Sequence, residues 1–175
     1  MAIPPWKAPA DVQELVNSIK EEHHHPRLEQ ANICVAFEDS KPFKNDTLNL
    51  GKTVKFTPLN KIWHLDPHDF CIIIPVDVWQ NILDDHQKRA YIDLRLTMCQ
   101  VEYEPQTVVE NNKTIKIKDD FGRIQYTDQI KYDDEGNPKW KKGSLNLMTF
   151  SQNVKRYGLW YSDLMEFKQS IPEKE

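Results

Sequence analysis

Glycine is scarce in this chain, with five in 175 residues. None of them builds a G-x-x-x-x-G-K or a G-x-S-x-G spacing, so no phosphate-cradling loop and no nucleophile elbow is encoded. Cysteine is scarcer still. Cys34, Cys71 and Cys99 are odd in number, distant in sequence and free of any C-x-x-C pattern, which speaks against a zinc knuckle or a dithiol redox motif. Their neighbours in ANICVAF and FCIII are apolar, so buried thiols are expected. No apolar run approaches the roughly 20 residues that span a bilayer. The opening MAIPPWKAPAD lacks the charged-then-apolar pattern of a secretory leader. The expectation is a soluble protein of the reducing cytoplasm, with no membrane association.

Neither sign of charge dominates the chain, although a local acidic face stays open. The 27 acids and 23 bases are scattered and leave a net charge of −4, whereas binding along a phosphate backbone needs clustered Lys and Arg. Phe121, Tyr126, Tyr132 and Trp140 do interleave with basic residues, a pattern that can stack single-stranded bases. It is read more simply as one half-buried face of a sheet, and nucleic acid is not an expected partner. A hydrophobic content of 39% suits a globular protein, read as one domain over residues 1–175.

Residues 1–9 are proline-rich and extended, with Trp6 tacked onto the domain. Asp11 caps a helix to about His23, with Val12, Leu15, Val16 and Ile19 at helical spacing. Strands are expected at Ile33–Phe37 and Thr53–Thr57, and a buried central strand in DFCIIIPVDVW that ends near Pro75. The strongest helical pattern runs from about Gln80 to Tyr103. Within residues 104–143, DDFG and DDEGNP are turn signals between short charged strands, read as a β-hairpin or three-stranded meander inserted into the domain. A last helix covers NLMTFSQNVKRYG, stopped by Gly158. No internal repeat is expected.

In AYIDLRLTMCQ, Tyr91, Leu94, Met98 and Val101 fall on one helical face, and Ile92, Leu96, Cys99 and Tyr103 on the adjoining one. Asp93, Thr97 and Gln100 form a narrow polar edge. Arg95 and Glu102 point into the apolar arc. A buried guanidinium requires a carboxylate or carbonyl partner, unless Arg95 reaches out to an edge of the fold.

These residues carry a resemblance. The segment Asp93-Leu94-Arg95-Leu96-Thr97-Met98-Cys99, following IPVDVW and DDHQKRAYI, resembles the Asp-His-Glu-Leu-x-His-Cys helix of the phage metallopeptidase family, a compact zincin-like group. IKEEHHHPRLEQANICVAF resembles that family's first helix, histidine-proline turn and first strand. Arg156, Tyr157, Gly158, Leu159 and Trp160 match its Arg-aromatic-Gly-Leu-Trp finish. The resemblance implies an α+β fold, a compact zincin-like domain with a mixed sheet and a buried former active-site helix, to which 104–143 adds the charged β-hairpin insertion.

The resemblance also shows what is missing. In H-E-x-x-H, histidines one turn apart grip zinc and the glutamate deprotonates the bound water. Here those positions are Leu94, Met98 and Arg95, and the family's downstream His-Asp pair falls on Leu145 and Asn146. The resemblance therefore implies a pseudoenzyme without metal or cofactor. A phage origin suggests a non-catalytic protein that binds a host protein or complex and inhibits or redirects it, as in host takeover or anti-defence. Tyr126, Tyr132 and Trp140 are the expected contacts, beside an acidic tip at Asp133, Asp134 and Glu135, and a homodimer through hairpin edges stays open. Two other readings remain. One is an active metallopeptidase with ligands relocated to His64 and His68, aided by Asp66; the other is a virion or structural component. The run His23–His25 reads as a turn packing on the first strand.

Overall fold

The computed structural model describes residues 3–22, 25–44, 47–57, 67–110, 112–144, 147–161, 164–165 and 169. In chain order the elements are β1 (Trp6–Lys7), α1 (Ala10–Glu22), a 3-10 turn (Pro26–Leu28), β2 (Ile33–Glu38), β3 (Phe43–Lys44), β4 (Thr47–Leu48), β5 (Lys52–Lys55), β6 (Phe70–Pro75), a π-helical turn (Val78–Ile82), α2 (Asp85–Leu96), β7 (Cys99–Val101), β8 (Tyr103–Pro105), β9 (Thr107–Glu110), β10 (Lys113–Lys116), β11 (Tyr126–Ile130), β12 (Trp140–Lys142) and α3 (Leu147–Tyr157). They fall into two compact units, Met1–Cys99 with Lys142–Glu175, and Gln100–Lys141.

The first unit is built on a mixed sheet of order β1-β2-β6-β5. β2 and β6 run parallel, in register from Ile33↔Phe70 to Glu38↔Pro75, and β1 and β5 close the edges antiparallel. All six residues of β6 are buried, which is why FCIIIP reads as an unbroken apolar run instead of alternating. Register places Cys34 opposite Cys71, so two cysteines far apart in sequence are neighbours. The interaction with the adjacent Cys34, and then burial, raise the Cys71 thiol, and burial pushes Cys99 up to about 12. Both are held as thiols at neutral pH. Gly51, at φ +62, leads into β5 where a Cβ would overlap the Ile73 carbonyl oxygen.

Three of the described helices belong to this unit. α1 buries Val12, Val16 and Ile19, the stripe its spacing predicts. α2 starts at a capping box, in which the Asp84 side chain accepts from Gln87 N at 2.8 Å and the Gln87 side chain accepts from Asp84 N at 2.9 Å. Every residue from Ala90 to Leu96 is buried, and α2 packs against both α1 and α3.

The expected helix from Gln80 to Tyr103 is corrected at both ends. Val78–Ile82 forms the separate π-helical turn, and α2 stops at Leu96. Thr97 turns its hydroxyl back to Leu94 O at 2.7 Å, and Met98 N closes on Arg95 O at 3.1 Å. Cys99 and Val101 then alternate inward as a strand.

The second unit is neither a single hairpin nor a meander. Gln106, Ile117 and Gln125 form a closed triangle of backbone hydrogen bonds: Gln106 N donates to Gln125 O, Gln125 N to Ile117 O, and Ile117 N to Gln106 O, at 2.9, 3.0 and 2.9 Å. Glu102, Lys131 and Lys139 form a second one: Glu102 N donates to Lys139 O, Lys139 N to Lys131 O, and Lys131 N to Glu102 O, at 2.7, 2.8 and 2.9 Å. Three arms leave each triangle. The β8–β11 pair joins the two, the β9–β10 hairpin and the Asp119–Gly122 turn leave the first, and the Asp133–Gly136 turn and the β7–β12 pair leave the second.

The two turns are copies of one device, which corrects the expectation of no internal repeat. Ile117–Gln125 and Lys131–Lys139 align as IKDDFGRIQ and KYDDEGNPK. In each, the first Asp closes the turn with its own backbone, Asp119 N to Arg123 O and Asp133 N to Asn137 O, both at 2.9 Å. The glycine two positions past the Asp-Asp pair takes positive φ, +77 at Gly122 and +82 at Gly136, as such a turn requires.

Candidate functional site

Asp93, expected on a polar edge, is instead fully buried at the centre of the first unit. One nitrogen of Arg156 donates to both of its oxygens at 2.7 and 2.8 Å, Asn153 Nδ2 donates to Oδ2 at 2.8 Å, and His25 Nε2 donates to Oδ1 at 3.2 Å. Asn153 is itself satisfied, giving a second bond to Ala90 O at 2.9 Å and accepting from Trp160 Nε1 at 2.7 Å. Burial alone would raise the Asp93 carboxyl. The bonds from His25 and Asn153, with the charge and bonds of Arg156, outweigh it and hold the carboxyl below its ordinary value. Burial, and then the Asp93 charge, push the neighbouring Tyr157 hydroxyl up to about 12.

The adjoining face of α2 carries the positions where the resemblance implies catalytic groups. Leu94 is fully buried, and Arg95 is 4% exposed, so Arg95 does not reach out to solvent. Its guanidinium donates to the Leu50 carbonyl and approaches Met98 Sδ at 3.5 Å, with Cζ 5.3 Å from the Tyr91 ring centroid. Tyr91 Oη donates to the same Leu50 oxygen at 2.7 Å. Arg95 Nε has no partner, and no carboxylate pairs with this arginine among the described residues. Met98 is buried in the turn beyond α2, not one helical turn along from Leu94 as expected. These residues do not fit a metal: Leu94 has no donor atom, and the one soft donor, Met98 Sδ, already faces a cation.

Leu145, Asn146, His23, His24, His64 and Asp66 lie outside the described residues. His68 pairs through Nδ1 with Asn32 Oδ1 at 3.0 Å, beside Phe56. No group of three His, Cys, Asp or Glu side chains among the described residues is arranged to hold a metal ion.

In the second unit Tyr126 and Tyr132 are exposed, and Lys141 Nζ lies 5.5 Å from the Tyr126 ring centroid. Asp134 and Glu135 are exposed. Asp133 spends its carboxylate on its own turn, accepting from Glu135 N at 3.0 Å and Asn137 N at 2.8 Å. Trp140, expected as an exposed contact, is buried at 6% exposure. It sits in β12 on the inward side of the strand alternation, so it is packing and not display. The Asp93 cluster escaped a reading of α2 alone, because its partners come from residues 25, 153 and 156.

The fold and site define a mixed α+β protein whose buried central helix carries a neutralised carboxylate and, beside it, apolar filling and a buried arginine. The chain matches the family described as "Putative phage metallopeptidase" over residues 5–170 and belongs to that family. No curated protein and no solved structure matches the chain. No helix among the described residues is long and apolar enough to cross a membrane.

Proposed function

We propose that this family member is non-catalytic: a zincin-like scaffold in which α2 has become core, carrying a second unit that binds a host protein and inhibits or redirects it in the host cytoplasm. The observation that supports this most is the chemistry at Leu94 and Arg95. A buried isobutyl group stands where the family's helix has its first histidine. A buried guanidinium, fastened to the Leu50 carbonyl, stands where a general base belongs. A fixed cation at that point opposes both a divalent metal and proton abstraction from water. The carboxylate on the same helix, Asp93, has its oxygens occupied by Arg156, Asn153 and His25.

Three of the residues that carry the resemblance, Asp93, Arg156 and Trp160, take part in that one cluster, a structural use that needs no catalysis. Binding is assigned to the second unit, whose exposed aromatics have no part in such a cluster. The test is zinc content by elemental analysis of untagged protein, purified without chelator and reconstituted with zinc. Sub-stoichiometric zinc with no peptide hydrolysis is expected. A full equivalent of tightly held zinc, lost on substituting His64 or His68, would return the relocated-ligand peptidase.

A further inference from the structure

The duplicated turn supplies an internal comparison. Asp119 Oδ1 accepts from Phe121 N at 2.9 Å and Arg123 N at 2.8 Å, as Asp133 Oδ1 accepts from Glu135 N and Asn137 N at 3.0 and 2.8 Å. The same backbone therefore presents phenylalanine at one tip and glutamate at the other. The turn does not require the aromatic ring, and an aromatic side chain is of the type enriched at the core of protein interfaces.

Phe121 is 82% exposed, the most exposed large apolar side chain among the described residues. It is also held. The Arg123 guanidinium lies 5.1 Å from the ring centroid while Arg123 Nε donates to Asp119 Oδ2 at 2.8 Å. Turn and clamp narrow the positions open to the ring, which lowers the entropic cost of binding.

We propose that Phe121 is the anchor with which the second unit engages its protein partner. The ring enters a phenyl-sized apolar pocket whose rim carries a carboxylate facing Arg123 and a hydrogen-bond donor facing Asp120. This rests on the partner-binding reading above and names the contact it uses. The flanking charges select the class of partner. Asp119 and Asp120 precede the ring directly, which opposes a phosphate backbone. Lys118 and Arg123 balance the two acids, so the tip has no net positive charge to draw it to an anionic bilayer surface.

The test places the photoreactive amino acid p-benzoylphenylalanine at 121, 126 or 135 of the full chain in host lysate. The protein crosslinked at 121 is then purified, and its affinity measured for wild type, Phe121→Glu, Phe121→Leu and Glu135→Phe. Phe121→Glu copies the other turn, so unchanged thermal unfolding is expected together with a loss of affinity of about tenfold or more. Phe121→Leu should retain most of the affinity, and Glu135→Phe should not strengthen binding, because the anchor is read at 121. Unchanged affinity in Phe121→Glu, or crosslinks from 126 or 135 but not 121, overturns the anchor and leaves partner binding standing. Crosslinks from none of the three overturn both. The anchor is equally overturned if Phe121→Glu abolishes instead self-association in sedimentation, binding to phosphatidylcholine–phosphatidylglycerol vesicles, or binding to oligo-dT.

Discussion

Asp93 and Arg95 are two residues apart on α2, both buried and both charged, yet they should respond oppositely to neutralisation. Asp93 has an opposite charge and two further donors, so Asp93→Asn leaves Arg156 facing a neutral amide and should cost about 3 kcal/mol. Arg95 has a carbonyl, a thioether and an unpartnered Nε. Arg95→Met leaves the Leu50 oxygen bonded by Tyr91 and should be neutral, or stabilising by up to about 2 kcal/mol. Urea denaturation of the two variants reads both signs. The pH profile adds a check. The folded Asp93 carboxyl lies below its ordinary value, so its contribution is complete above the ordinary carboxylate range and disappears as pH falls through the folded pKa. Below about pH 5 the wild type should lose stability faster than Asp93→Asn, and parallel profiles would refute the assignment.

At the scale of elements, Gly51 and Gly158 separate two reasons for a glycine. Both have positive φ, +62 and +70, but a Cβ at Gly51 meets the Ile73 oxygen and the Pro75 ring, whereas at Gly158 nothing lies within 4 Å. Gly158→Ala at the end of α3 should cost about 1 kcal/mol, the conformational term alone. Gly51→Ala must also push β5 from β6 and should cost clearly more, visible as a larger drop in melting temperature. The same scale shows where sequence was legible. β2, β6, α1 and the Gly158 stop follow directly from alternation, apolar runs and spacing. The end of α2 does not, because Cys99 and Val101 satisfy both a helical and a strand period until Thr97 and Met98 are seen to close the turn. The repeat was hidden because its copies share only Asp-Asp-x-Gly, a pattern that reads as two separate turns. The Asp93 cluster was hidden because no local pattern announces a partner sixty residues away.

For the molecule as a whole, the described core of the first unit comes from α1, the four-stranded sheet, α2 and α3. Met98 O accepts from Gly143 N at 2.8 Å, so the chain returns to where it left. Replacing Gln100–Lys141 with a short Gly-Ser bridge should therefore give a cooperatively folding protein with native near-ultraviolet circular dichroism. Loss of cooperative unfolding would mean that the first unit does not stand alone. If the bridged protein folds and still captures the partner with unchanged affinity, the second unit is not the binding element.

The two backbone triangles carry a consequence for how this protein can change. Their corners are Gln106, Ile117 and Gln125 in one, and Glu102, Lys131 and Lys139 in the other. Main-chain groups alone make the bonds, so no side-chain identity is demanded at a corner beyond avoiding proline. The branch points can hold while the residues displayed at the tips are exchanged, as Phe121 and Glu135 already differ. A lineage carrying this scaffold can revise the surface it displays by single substitutions at a tip, without relearning how to fold.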